Sequence, residues 1–214
     1  MMHPELLVRA ISGIISPRTS IDEFMANSMI FSKTVAREVL HYLHLSGIGS
    51  ISNGIITFLP PDRLKTALMA LQDGCDIERV SIALTWRDFE ALTVEVLKRF
   101  GYKTHLNVRF KKPRCEIDVI GIHSRHAIVI DCKHWKRSNI SSISKYAKKQ
   151  LTRTQYLLQS KTTTMTSAMP VLLTLHSEKV KFVNKVPVIS INVLTSFLYE
   201  FNWNCQEVHM LSND

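Results

Sequence analysis

The reading turns on Cys115-Glu116-Ile117-Asp118-Val119-Ile120-Gly121-Ile122 and, after the turn His123-Ser124, His126-Ala127-Ile128-Val129-Ile130-Asp131-Cys132-Lys133-His134-Trp135. Both are apolar runs of strand length, rich in β-branched residues, and together they predict a pair of strands. Side chains alternate along a strand, so Ala127, Val129, Asp131, Lys133 and Trp135 share one face, and Ile128, Ile130 and Cys132 the other. On the preceding strand Glu116, Asp118 and Ile120 are expected to share a face. Antiparallel pairing of the two strands would bring Asp118 and Asp131 together. Two carboxylates among apolar neighbours repel unless something neutralises them. A hard divalent cation does so, and Mg²⁺ needs only one or two carboxylates because it keeps several waters.

Working outward, Thr85-Trp86-Arg87-Asp88 opens a helix whose buried stripe is Phe89, Leu92, Val96, Leu97 and Phe100, with Gly101 as its stop. Glu90 lies on this helix. A strand from Lys103 to Phe110 follows, then the basic turn Lys111-Lys112-Pro113-Arg114. Downstream, a helix from Ser142 to Ser160 carries Lys145, Lys148, Lys149, Gln150 and Arg153, and further strands are expected near Val171–Leu175 and Val188–Val193. Helix, three strands, helix and further strands predict an α/β sandwich with a mixed sheet.

Glu90, Glu116-Ile117-Asp118 and Asp131-Cys132-Lys133, in that order, resemble the PD-(D/E)xK constellation of the restriction-endonuclease-like nucleases. The Mrr-type and archaeal Holliday-junction-resolvase branch is the nearest in pattern. The resemblance covers residues 85–160. It departs from the family in lacking a Pro before Asp118, and in carrying Asp131 where many relatives have Glu or Gln. It implies a restriction-endonuclease-like α/β/α sandwich that hydrolyses DNA phosphodiester bonds to a 5′-phosphate. The implied metal is Mg²⁺, with Mn²⁺ able to substitute, on Asp118, Asp131 and the carbonyl of Cys132. Glu90 would bind a second metal or a metal-bound water, and Lys133 would act on the attacking water and the phosphorane. Gln150 is the candidate for the helix residue that reaches the site in relatives. An Asp-x-Lys taken alone reads as a surface ion pair. Four such residues in order, inside apolar strands of a basic domain, do not arise easily by chance.

The first sixty residues predict a winged helix-turn-helix domain. Leu6, Leu7, Ala10, Ile11, Ile14 and Ile15 recur at helical spacing until Ser16-Pro17 breaks the run. Ser20-Ile21-Asp22-Glu23 is a capping box for a short second helix, and Ser32 caps a third carrying Val35, Val39, Leu40, Leu43 and Leu45. Two apolar runs, Ile48–Ser52 and Ile55–Leu59, flank Asn53-Gly54, the strongest short hairpin signal. In a winged helix the third helix enters the major groove, so Lys33, Arg37, His41 and His44 would face DNA. The alternative is contact with protein. Residues 61–84 read as a helical connector, giving domains at 1–60 and 85–214.

The 214 residues carry a formal charge of +9. Residues 1–84 hold 7 Lys and Arg against 8 Asp and Glu, whereas residues 85–214 hold 20 against 10. The basic half suits a polyanion, above all nucleic acid. Lys111, Lys112, Arg114, Lys136 and Arg137 at the strand ends are the expected DNA contacts. Lys145 and Lys149 on the helix serve either as phosphate contacts or as a solvated face. With 45% apolar residues a packed core is assured, and a disordered or collagen-like chain is excluded. No stretch has the length of a membrane span, no secretory signal opens the chain, and the four cysteines form no CxxC pair. A reduced, cytoplasmic protein is expected, and a homodimer by analogy, since cutting two strands takes two active sites. Two functions stay open: a Mg²⁺-dependent DNA endonuclease, and a non-catalytic DNA-binding regulator. An RNA-processing nuclease is a third.

Overall fold

The computed structural model describes residues 2–112, 114–135, 138–160, 165–200 and 210–212. Lys136 and Arg137 lie outside them, as do Phe201, Trp203, Cys205 and His209. The chain divides into two units, Met1–Asp88 and Phe89–Asp214.

The first unit runs α1 (Pro4–Gly13), β1 (Arg18–Ser20), α2 (Ile21–Ser28), α3 (Lys33–Leu45), β2 (Ser50–Ser52), β3 (Ile55–Thr57), α4 (Asp62–Gln72) and α5 (Ile77–Ile82). The capping box forms: the Glu23 amide donates to Ser20 Oγ at 3.2 Å, and the Ser20 amide to Glu23 Oε2 at 2.9 Å. Ser32 caps α3 through the Val35 amide. Asn53 and Gly54 both have positive φ, 50° and 76°, which the two-residue turn between β2 and β3 requires. Three residues of β1, too short to show periodicity, add a strand that the sequence did not announce, so the sheet order is β1-β3-β2. Leu7, Ile11, Phe24, Val39, Leu43 and Phe58 fill the core.

The stretch 61–84 is packed rather than connecting. Helix α4 lies against α1, and the Asp62 carboxylate, 1% exposed, accepts the amides of Gly49 and Leu59 at 3.1 and 2.8 Å. A connector was expected because Pro60-Pro61 punctuates the chain. The tertiary contacts of Asp62 instead tie α4 to the hairpin.

The second unit contains α6 (Trp86–Arg99) from Phe89 onward, β4 (Lys103–Lys111), β5 (Arg114–His123), β6 (His126–Lys133), α7 (Ile140–Gln159), β7 (Ser167–Thr174), β8 (Phe182–Val183), β9 (Val186–Ser190), α8 (Ile191–Glu200) and β10 (Leu211–Ser212). The sheet has the order β4-β5-β6-β7-β9-β8, with β10 also on β7. It is mixed: β4, β5 and β6 pair antiparallel, whereas β6–β7 and β7–β9 are parallel. Helices cover both faces. Ala127 and Val129 of β6 pack with Leu157 and Leu158 of α7. On the other face Cys132 meets Thr93 of α6, and Gly121 leaves room for Leu97, since a Cβ there would lie 3.0 Å from the Leu97 side chain. Among the described residues, no helix is long and apolar enough to cross a membrane.

Two details differ from the alternation rule. Ile117 and Ile120, of opposite parity, pack into one cluster, so Glu116, Asp118 and Ile120 do not form the uninterrupted face expected of a regular strand. The break falls beside Asn107 of β4, whose φ of 54° is left-handed and which lies between the Leu106–Val119 and Val108–Ile117 pairs of the ladder, across from Asp118. Strand β6 also ends at Lys133 rather than Trp135. Beyond it the His134 ring packs edge-on against Phe89, and Trp135 packs against Tyr146 of α7.

Candidate active site at the end of strand β6

Register does the first part of the assembly. Val119 of β5 pairs with Ile130 of β6, so one step further Asp118 falls opposite Asp131. The peptide N–H of Cys132 donates to Asp118 Oδ2 at 2.8 Å. Asp131 is 1% exposed, and each of its oxygens faces a cation: Arg153 Nη1 at 2.7 Å from Oδ1 and Lys133 Nζ at 2.7 Å from Oδ2. Burying a carboxylate this deeply is costly without such partners.

Glu90 approaches from α6 and is 5% exposed. Burial first, then the charges of Asp118 and Glu116, push its carboxyl up to about 7, against the pull of Lys133 and a hydrogen bond from the Asn107 side chain. Its Oε2 is buried and lacks a hydrogen-bond partner among the described residues. Asp118 is pushed up to about 6 by burial and by Asp131, opposed by the Cys132 amide, Lys133 and Arg153. The Cys132 thiol, raised well above its ordinary value by burial, stays neutral.

Glu90, Asp118, Asp131 and Lys133 therefore influence one another electrostatically at the end of β6. Gln150 does not join them. It is fully buried, and its Nε2 donates to the Val129 carbonyl at 2.8 Å, bracing β6 two residues before Asp131. Arg153, less than one turn further along α7, reaches Asp131 instead. The clue was its position at i+3 from Gln150, on the same helix face. An arginine among lysines nevertheless reads as solvated surface. Asn107 was missed as well, and only its left-handed backbone and its place opposite Asp118 reveal it.

The basic candidates are spread over both units. Lys111 and Arg114 pair across the β4–β5 hairpin, with Lys112 beside them, and all three are exposed. Lys145 and Lys149 are exposed on α7, and Lys149 Nζ lies 5.5 Å from the Tyr146 ring centre. In the first unit Arg37 is exposed, Lys33 pairs with Asp22 at 3.0 Å, and His44 Nδ1 lies 3.2 Å from the Gly49 carbonyl. The hairpin 48–59 contains no Lys or Arg.

Among the described residues, no three His, Cys, Asp or Glu side chains converge as a ready-made metal cage. The donor chemistry nonetheless suits Mg²⁺. A buried, orphaned Glu90 oxygen and two carboxyls raised first by burial and then by a neighbouring carboxylate are what a hard cation relieves, and Mg²⁺ needs few protein ligands.

Comparison with known proteins places this half of the chain. The model of the NERD family, the nuclease-related domain, matches residues 85–195. No curated protein matches the chain. The crystal structure of protein VC1899 from Vibrio cholerae is similar at a TM-score of 0.42 and 16% identity, covering 92% of this chain and 49% of that one. The chain thus spans about half the length of that protein.

Proposed function

The chain belongs to the nuclease-related domain family, and from that premise we propose that it is a Mg²⁺-dependent DNA endonuclease of the PD-(D/E)xK type. The observation that carries the reading is Asp131, buried, set opposite Asp118 and 2.7 Å from the Lys133 ammonium, with Glu90 close enough to feel the charges of Asp118 and Lys133.

Asp118 and Asp131 would hold the metal, with the Cys132 carbonyl and Glu90 as further ligands. Bound there, Mg²⁺ supplies Lewis acidity at the scissile phosphate. Lys133 presents a fixed ammonium to the charge that develops on the phosphoryl oxygens, a placement that stabilises a transition state more than a ground state. Arg153 supplies a second cation at the same carboxylate. The Cys132 N–H holds Asp118 in place. Lys111, Lys112, Arg114, Lys145 and Lys149 supply phosphate contacts along the duplex, with Lys136 and Arg137.

For the first unit the order α1-β1-α2-α3-β2-β3 supports a winged helix. Its role is to aid recognition of DNA through Lys33 and Arg37, or of a protein partner. A hairpin without Lys or Arg favours the protein.

The test is nicking of supercoiled plasmid by wild type and by Asp131→Ala, each with Mg²⁺, Mn²⁺ or EDTA. Metal-dependent nicking that the substitution abolishes supports the enzyme. The second reading, a non-catalytic DNA-binding regulator, draws on one observation: both oxygens of Asp131 are engaged by the chain's own cations. Wild type that shifts DNA on a gel yet cuts with no metal supports that reading.

A further inference from the structure

The catalytic lysine of this reading sits in a small aromatic enclosure. Lys133 Nζ lies 4.4 Å from the centre of the Tyr146 ring and 5.9 Å from that of Trp135, with the Asp131 carboxylate 2.7 Å away. The two rings meet edge to face at 5.1 Å and 61°, and both pack against Ile143, Leu172 and Val188. The side chain of Lys133 is only 13% exposed.

These contacts divide the work. A lysine has a flexible four-carbon stem, and its ammonium is a point charge with no preferred direction. Asp131 attracts that charge, but a carboxylate alone lets the stem pivot. The Tyr146 ring supplies a second attraction through its negative face, at a distance within the range where cation–π contact operates. The ring cannot follow the lysine outward, because Trp135 and the apolar cluster hold it from α7 and the end of β6.

We propose that Tyr146 is a positioning residue for Lys133, with Trp135 as its support. It confines the ammonium between ring face and carboxylate and leaves the remaining N–H groups for a phosphate. Its catalytic consequence rests on the nuclease reading, whereas the contact itself does not. Lys149, 5.5 Å from the same ring centre, adds a like charge that discourages Lys133 from leaving toward the α7 surface.

The experiment uses the full chain with Tyr146→Leu, Tyr146→Phe, and phenylalanines bearing one, two or three ring fluorines at position 146. Fluorines weaken the negative ring face while keeping its shape, so a folding defect in Tyr146→Leu does not stop the test. The single-turnover cleavage rate is expected to fall about tenfold across the fluorine series, with DNA affinity held within about twofold, and Tyr146→Phe is expected to restore the rate lost in Tyr146→Leu. A rate indifferent to fluorination overturns the proposal. If wild type cleaves nothing, the nuclease reading falls, and a denaturant-unfolding cycle of Lys133→Met with fluorination at position 146 decides the contact. A coupling of about threefold or more in the unfolding equilibrium supports it, and strict additivity overturns it.

Discussion

Two aspartates, one in each unit, are equally buried and differently held. Asp62 and Asp131 are both 1% exposed. Asp62 accepts two backbone amides, from Gly49 and Leu59, with Lys65 Nζ at 3.4 Å. Asp131 is held by two side-chain cations and has further carboxylates nearby. Backbone amides are fixed by the fold, so Asp62 is a strut with nothing left to exchange. Side-chain cations can move, and neighbouring carboxylates raise the free energy of the whole cluster. Asp62 is architecture, and the arrangement around Asp131 is the one on which the proposed nuclease chemistry rests.

The contrast can be broken most sharply by removing the two carboxylates in turn. Asp131→Asn is expected to lower plasmid cleavage by about 10³-fold while the protein still melts as one folded species. Asp62→Ala is expected to leave cleavage per folded molecule unchanged and to cost about 2 kcal/mol in denaturant unfolding, because two partly buried amides lose their acceptor. If Asp62→Ala abolishes cleavage without loss of stability, the division between strut and site is wrong.

Arg153→Ala tests whether the second cation belongs to the site. A loss of about 10²-fold in single-turnover rate is expected, with Arg153→Lys recovering only part of it because an ammonium lacks the planar fork. A Gln150→Ala variant more damaging than Arg153→Ala would return the role to Gln150.

The folded carboxyls of Glu90, at about 7, and Asp118, at about 6, titrate above their ordinary values of 4.5 and 3.8. In that window the native state binds more protons than the unfolded chain, so stability is full below about pH 4 and falls as pH rises through the folded values to about 7. Glu90→Gln should flatten that fall and stabilise the protein at pH 8 by about 2 kcal/mol, read by urea titrations at several pH values. A slope unchanged by the substitution would place the buried charge elsewhere.

Lys65→Ala should change stability by about 0.5 kcal/mol or less, because amides, not the half-exposed lysine, hold Asp62. A loss of several kcal/mol in chemical denaturation would make Asp62 as dependent on side-chain cations as Asp131.

Much of the local structure was legible because it depends on neighbours in the chain. The Ser20 box, the Ser32 cap and the Asn53-Gly54 turn each follow from one residue's own hydrogen-bonding or φ preference. Alternation in 126–133 located the strand that carries Asp131 and Lys133. Legibility ended where two distant segments meet. A three-residue β1 has no period to detect. The break in alternation at Asp118 is visible only with Asn107 across the ladder. Asp62 looks like an ordinary first-turn acid until the Gly49 and Leu59 amides close on it.

For the candidate site, Asp118, Asp131 and Lys133 stood out in the sequence because charges inside apolar strands are conspicuous, whereas Glu90, on a helix, was named only through the family pattern. Whether Gln150 or Arg153 reaches those carboxylates was a matter of how α7 is rotated and seated on the sheet. Tertiary packing decided it: Leu157 and Leu158 seat the helix on β6, Gln150 is spent on the Val129 carbonyl, and Arg153 is left with the length to reach Asp131. Local preferences act within a few residues and can be read from one chain segment. The partner of a buried charge is chosen by which surfaces the fold presses together, and no single segment contains that information.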